Sequence, residues 1–209
     1  MAAHATALLA AGSSGRMGIP KQLVLLHGQP LCRYAALAIL RGGDVTDKYT
    51  VVVPPGAVGR DIAAVLADLP FTAVVHPKPE QGLLSSFQVA AQALSETLDT
   101  LTFALADMPF VTPSTYRALR EAFRRTGAPL IGTRYGAATH AVQAPPLLLH
   151  ARLLPELLEL PAADTGPRAL IERYRHQATF IDRPDDELTD VDTPDILARL
   201  HSLPRRGEH

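Results

Sequence analysis

Apolar and polar positions along this chain follow two periods. Short apolar or alternating runs at residues 4–9, 49–53, 72–76, 100–106, 130–133, 140–144 and 179–181 predict strands. Between them, apolar residues recur every three or four positions over 31–40, 58–69, 84–98, 113–125, 147–158, 168–173 and 193–203, which predicts amphipathic helices. This alternation argues for parallel βαβ units with right-handed crossovers and helices on both faces of the sheet. The short strands after Leu130 are expected to form a small antiparallel lobe. No internal repeat or linker interrupts the pattern, and the 18 prolines are spread through turns. Residues 1–203 are therefore read as a single domain and 204–209 as a flexible tail.

Composition narrows the class. At 209 residues, with 47% hydrophobic and 20% charged positions, the chain can bury a proper core and wholesale disorder is excluded. The formal net charge is −1, with no basic block beyond the Arg205-Arg206 tail, so there is no electrostatic case for nucleic acid. Cys32 is the only cysteine, which rules out an intramolecular disulfide and favours a buried, inert thiol in a reducing compartment. No run approaches the ~20 apolar residues of a membrane span, and the amino terminus lacks the pattern of a secretion signal. A cytoplasmic protein without a membrane partner is the expectation.

The densest chemistry lies just after the first strand, in Ala10-Ala11-Gly12-Ser13-Ser14-Gly15-Arg16-Met17-Gly18-Ile19-Pro20-Lys21. Gly12, Gly15 and Gly18 can take positive φ, letting successive N–H groups turn inward as an anion nest. Arg16 can fork two phosphate oxygens, and Lys21 adds a point charge. The segment lacks the Gly-Lys-Ser/Thr ending of a P-loop and the glycine spacing of a dinucleotide fold, so it is a different kind of polyphosphate loop.

With Leu9 in front and Lys21 and Leu23 behind, this loop resembles the signature of the MobA-like nucleotidyltransferases, above all their molybdenum cofactor cytidylyltransferase branch. Leu105-Ala106-Asp107-Met108-Pro109 is similar to the family's second motif, at the end of a buried strand over 101–106. The resemblance implies that Asp107 holds Mg²⁺ against the nucleotide phosphates. Leu188-Thr189-Asp190-Val191-Asp192-Thr193-Pro194-Asp195 resembles the closing motif, in which alternation puts Asp190 and Asp192 on one face. Asp190 is the chosen second metal ligand, while Asp192 or Thr193 is equally an N-cap with Pro194 at the first helical position.

Further likenesses are partial. Gly82, Ser85 and Ser86 stand where the family contacts base and sugar, although a serine-rich helix N-terminus explains them as well. Tyr135-Gly136-Ala137-Ala138-Thr139-His140-Ala141 keeps a histidine of the acceptor side but not its flanking glycine and proline, and a lone histidine is as often a surface residue. Ala163-Asp164-Thr165-Gly166-Pro167-Arg168 keeps Asp164, Gly166 and Arg168, which equally make a helix cap and a surface ion pair.

The resemblance implies a single-domain, three-layer Rossmann-like nucleotidyltransferase fold, α/β with a mostly parallel sheet. Its implied chemistry is Mg²⁺-dependent transfer of CMP from CTP to molybdopterin with release of pyrophosphate. Arg16, Lys21 and Asp107 would be catalytic. The nucleotide would lie on Leu9, Ala10, Ala11, Gly12, Ser13, Ser14, Gly15, Arg16, Lys21, Gly82, Ser85, Ser86 and Asp107, the acceptor on His140, Asp164 and Arg168, and the metal on Asp107 and Asp190. A molybdenum hydroxylase or its chaperone is the implied downstream partner. Two other readings stay open: a transferase for another phosphorylated small molecule, and a non-catalytic carrier of nucleotide or finished cofactor. An oxidoreductase on the same fold has no separate fingerprint here.

Overall fold

The computed structural model describes residues 3–12, 20–94, 98–137 and 139–189. In chain order its elements are β1 (His4–Leu9), β2 (Leu25–Leu26), β3 (Gln29–Pro30), α1 (Leu31–Gly42), β4 (Lys48–Val53), α2 (Ala57–Val65), β5 (Phe71–Val75), α3 (Leu83–Leu94), β6 (Thr100–Leu105), α4 (Pro113–Thr126), β7 (Leu130–Tyr135), β8 (Val142–His150), α5 (Leu154–Glu159), α6 (Arg168–Arg173) and β9 (Thr179–Arg183). Seven strands form one sheet in the order β5-β4-β1-β6-β8-β7-β9. Every neighbouring pair in it is parallel except the two made by β8, which runs against β6 and β7.

The strands after Leu130 thus extend the main sheet, with β8 as its antiparallel member. A separate antiparallel ribbon comes from β2 and β3. Its tight turn puts His27 and Gly28 at φ of 48° and 81°, the left-handed pair that a two-residue hairpin needs.

All six residues of β1 are buried because helices cover both faces. Ala5, Ala7 and Leu9 pack with Phe87 of α3, Leu154 of α5 and Leu170 of α6, while Leu8 and the following Ala10 pack with Cys32, Ala35 and Ile39 of α1 and Ile62 of α2. Strand alternation sends odd and even residues to opposite layers, giving the three-layer sandwich expected. Burial pushes the Cys32 thiol up to about 11, as suits an inert core cysteine.

Helix α4 shows local signals agreeing with packing. Pro113 opens it, Tyr116, Leu119 and Ala122 fall on its buried stripe, and Gly127 closes it at φ 62°. Its N-cap, Thr112, makes no side-chain capping bond.

One predicted element is replaced. The sequence predicts a helix over 147–158, but β8 runs through Leu147, Leu148 and Leu149 to His150, a 3-10 turn follows over Ala151–Leu153, and α-helix begins only at Leu154. Pro145 and Pro146 take two N–H donors out of the strand, so pairing with β7 shifts between Ile131 and Thr133. The hydroxyls of Thr133 and Tyr135 donate to the carbonyls of Pro146 and Pro145 at 2.7 and 2.8 Å, restoring the hydrogen bonding the ladder loses. The helix predicted over 193–203 lies outside the described residues. Among the described residues no helix is long and apolar enough to cross a membrane.

Candidate functional site

Central strands β1 and β6 pair with Leu9 opposite Leu105, so both run out at the same level. The N–H of Ala10 donates to Val52 at 2.8 Å and that of Ala106 to Leu9 at 3.0 Å, carrying the ladder one residue past each strand. The chain leaves β1 toward β4 on one side and returns to β6 on the other, which makes this edge the topological switch point where open α/β sheets bind ligands.

The glycine loop leaves β1 here. Ser13, Ser14, Gly15, Arg16 and Gly18 lie outside the described residues, but both flanks of the loop are described. Gly12 does not use the left-handed region open to glycine; its carbonyl accepts from Gln22 Nε2 at 3.0 Å. A Cβ at Gly12 would meet, among the described residues, only that amide nitrogen at 3.8 Å, so the position leaves room above the backbone rather than relieving strain.

Lys21 opens the 3-10 turn Lys21–Leu23 and is 7% exposed. Its Nζ donates to Asp107 Oδ2 at 3.2 Å. The two motifs, 86 positions apart in sequence, therefore meet in one ion pair. A lysine buried this deeply needs a carboxylate partner to remain charged. Asp107 keeps a 31% exposed side chain, open on its solvent side. A partly exposed carboxylate at a strand end is a hard-oxygen donor fitted to Mg²⁺, which takes few protein ligands and binds mainly through waters and phosphate. Asp190 lies outside the described residues, and among those described no three His, Cys, Asp or Glu converge on a metal position.

A second wall runs from β5 to α3. Gly82 sits at φ 92°, and a Cβ there would lie 2.3 Å from Asp164 Oδ1, so this glycine is required by a close approach as well as by its backbone. Ser85 and Ser86 are both 4% exposed. Lys78 N–H donates to His76 Nδ1 at 3.2 Å, which leaves the ring proton on Nε2. That Nε2 donates to Ser85 Oγ at 2.7 Å, and the Ser85 hydroxyl donates to the Gly82 carbonyl at 2.6 Å. Burial holds the His76 pKa below its ordinary value, favouring the neutral ring this relay requires. Sequence reasoning missed His76 and Gln22; each lies close to a motif residue, but nothing in the residue order signals a contact.

Beyond β6 lies a cavity of about 540 Å³ with Leu83, Phe87 and Phe180 as apolar walls and Arg168 and Gln143 as polar ones. The Phe180 ring lies against Gly132, where a Cβ would come within 2.5 Å of it. Arg168, one of the three residues assigned to the acceptor, lines this space. Asp164 and His140 are exposed and do not line it, although their neighbours Thr165 and Ala141 do.

The model of the MobA-like NTP transferase domain matches residues 6–178. Among curated proteins, the bifunctional protein GlmU of Rhodopseudomonas palustris strain BisB5 is 32% identical over 138 residues, 64% of this chain and 29% of that protein. The chain thus spans less than a third of the length of this relative. Rv0371c of Mycobacterium tuberculosis superposes with a TM-score of 0.78 at 23% identity, covering 97% of this chain and 100% of the other, a likeness of fold. The same protein has been solved with manganese, and that structure superposes with a TM-score of 0.72 at 21% identity over 97% of this chain and all of the other. An Rv0371c homologue from Mycobacterium sp. strain JC1 gives 0.73 at 27% identity, with 95% of each chain covered.

Proposed function

The chain belongs to the MobA-like NTP transferase family, and on that premise we propose that it is a Mg²⁺-dependent nucleotidyltransferase that moves CMP from CTP to molybdopterin and releases pyrophosphate. The observation that carries this reading is the 3.2 Å pair between Lys21 and Asp107, which joins the cationic end of the glycine loop to the acidic end of β6 at the switch point. A cation and a carboxylate meeting at this edge support a shared site for a polyphosphate and its metal.

In this reading the triphosphate lies across the open backbone at Gly12, with Arg16 and Lys21 neutralising its oxygens. Mg²⁺ held by Asp107 and Asp190 would supply further positive charge at the α-phosphate. A phosphate monoester on the acceptor attacks the α-phosphorus in line; a new P–O bond forms and the α–β anhydride bond breaks, with its electron pair leaving on pyrophosphate. No general base is needed, because a phosphate monoester has its second pKa near ~6 and is already a dianion at neutral pH. The protein's task is to bring two anions together, and Lys21 and Arg16 serve that end. The Gly82–Ser86 wall shapes the nucleotide side. The cavity walled by Phe87, Phe180 and Arg168 offers the acceptor an apolar floor and a cation.

CTP and molybdopterin are the substrates the motif resemblance favours, and the manganese-bound neighbour supports a divalent ion in this fold. A pyrophosphate-release assay with CTP, molybdopterin and Mg²⁺ tests the reading. Release that requires all three is the expected result; binding of CTP without turnover would replace the transferase by a carrier.

A further inference from the structure

Glu187 is a buried acid that the proposed chemistry does not use, at 3% exposure. It lies in the 3-10 turn Asp185–Leu188 that follows β9, three positions before Asp190. Its carboxylate reaches across to the head of α4. Thr115 Oγ1 donates to Oε2 at 2.6 Å, Thr112 Oγ1 donates to Oε1 at 2.8 Å, and Arg183 adds a contact to Oε1 at 3.3 Å. Arg183 also donates to Ser114 Oγ, so Ser114 and Thr115 of α4 and its cap Thr112 are tied to the end of β9 and the turn that follows it.

The cost of this arrangement is visible. Thr112, the N-cap of α4, turns its hydroxyl to Glu187 and makes no capping bond to its own helix, and Arg183 Nε is buried without a hydrogen-bond partner among the described residues. Apolar side chains could have glued these segments with fewer demands. A carboxylate accepting from two hydroxyls adds direction, because it fixes the register of one segment on the other. Those two segments carry the two acids of the proposed metal site. Thr112 is five positions after Asp107, connected through the buried Met108 and Val111, and Glu187 is three positions before Asp190.

We propose that Glu187 is a positioning residue for the metal–nucleotide end of the cleft, fastening the chain that leads to Asp190 onto the helix that follows Asp107. The inference rests on the reading of Asp107 and Asp190 as metal ligands. Glu187 itself touches neither metal nor substrate; it acts through the two loops it joins.

The test is Mn²⁺ affinity in the presence of CTP, read by electron paramagnetic resonance on the full chain, beside thermal melting and pyrophosphate release. Glu187→Ala is expected to weaken Mn²⁺ binding about tenfold or more, Thr115→Val to give part of that loss, and Glu187→Gln to recover most of it by keeping one acceptor oxygen while its amide donates to a threonine hydroxyl that rotates to accept. The Thr115 and Gln variants keep the side-chain volume, so the series remains readable if the alanine variant does not fold. Asp107→Asn is the reference. If it binds Mn²⁺ like the parent, the metal reading itself fails. If it is impaired while Glu187→Ala, or Thr115→Val in its place, melts lower yet binds Mn²⁺ normally, Glu187 is a stabilising residue alone and the inference is overturned.

Discussion

The two ends of the sheet spend their polar residues differently. At the amino-terminal edge, His4 is 6% exposed and lies within hydrogen-bonding distance of Thr100, Thr6 and Thr102, at 2.8, 3.3 and 3.4 Å. Close by, Arg120 pairs with both Asp44 and Asp47, and the Asp47 side chain is only 2% exposed. These groups face one another. At the carboxyl-terminal edge, Lys21 meets Asp107 at 3.2 Å, the acid is 31% exposed, and Gly12, bonded to Gln22 next to Lys21, leaves room above its backbone among the described residues. The first edge encloses His4 and the Asp47 carboxylate among partners for stability, leaving only Asp44 of these groups at the surface; the second keeps Asp107 open beside a buried lysine, at a cost that a ligand would offset.

The comparison breaks most visibly by deleting one partner of each edge's ion pair. Lys21→Ala should lower turnover by at least about 100-fold while circular dichroism and melting stay near the parent, since charge aimed at a transition state is worth about that much; Asp107→Ala should lower turnover as far and also melt lower, because it takes the carboxylate from the buried Lys21. Near-normal pyrophosphate release from either variant removes the assignment. Arg120→Ala should do the converse. It takes the cation from the buried Asp47 carboxylate, which keeps the Asp44 N–H as a donor, so stability should fall by up to roughly 3 kcal/mol, the scale for breaking a buried pair, with activity per folded molecule kept. Urea denaturation beside specific activity at low temperature checks this, and an unchanged midpoint would show that the amino-terminal cluster is not what holds that edge.

The edges also differ in pH response. Burial, with Arg120 nearby, pulls the His4 pKa from 6.5 down to about 3. A lowered folded pKa means that the unfolded chain binds the extra proton below pH 6.5, so stability is full above that value and is lost as pH falls toward 3. The slope is at most about 1.4 kcal/mol per pH unit for one group. Denaturation midpoints at pH 7, 5.5 and 4 should decline in the parent and decline less in His4→Gln; parallel declines would assign the acid sensitivity elsewhere.

Where local signals and packing agree, the residue order was enough. Residues 4–9 and 168–173 form their elements within the predicted bounds, because an alternating or amphipathic run bounded by polar residues has one way to bury its apolar side. The run 147–158 failed because three leucines in sequence suit a buried strand as well as a helix, and the cue that decides, Pro145-Pro146 at a pairing shift, is a tertiary fact. The ribbon at Leu25–Pro30 is too short for any period to show. In the site, Lys21 and Asp107 were legible as chemistry, since charge beside glycine at a strand end has few other uses. Their contact was not, nor were His76 and Glu187, whose partners are 9 and 72 positions away. The placing of Ser13, Ser14, Gly15, Arg16 and Asp190 stays part of the proposal.

The smallest effect sharpens the contrast within the carboxyl-terminal edge itself. Ser85 was picked out as a nucleotide contact, yet its hydroxyl is engaged by His76 Nε2 and the Gly82 carbonyl. Its role in this reading is to hold Gly82 at φ 92° beside Asp164, shaping the wall rather than reaching past it. Ser85→Ala removes one bond to each neighbour, and a neutral hydrogen bond contributes about 1 kcal/mol net, so nucleotide affinity should weaken by roughly five-fold. Turnover at saturating CTP should stay within about two-fold, unlike the loss from Lys21→Ala. Steady-state kinetics separates the two: a fall in kcat with KM unchanged would move Ser85 from the wall to the reacting phosphates.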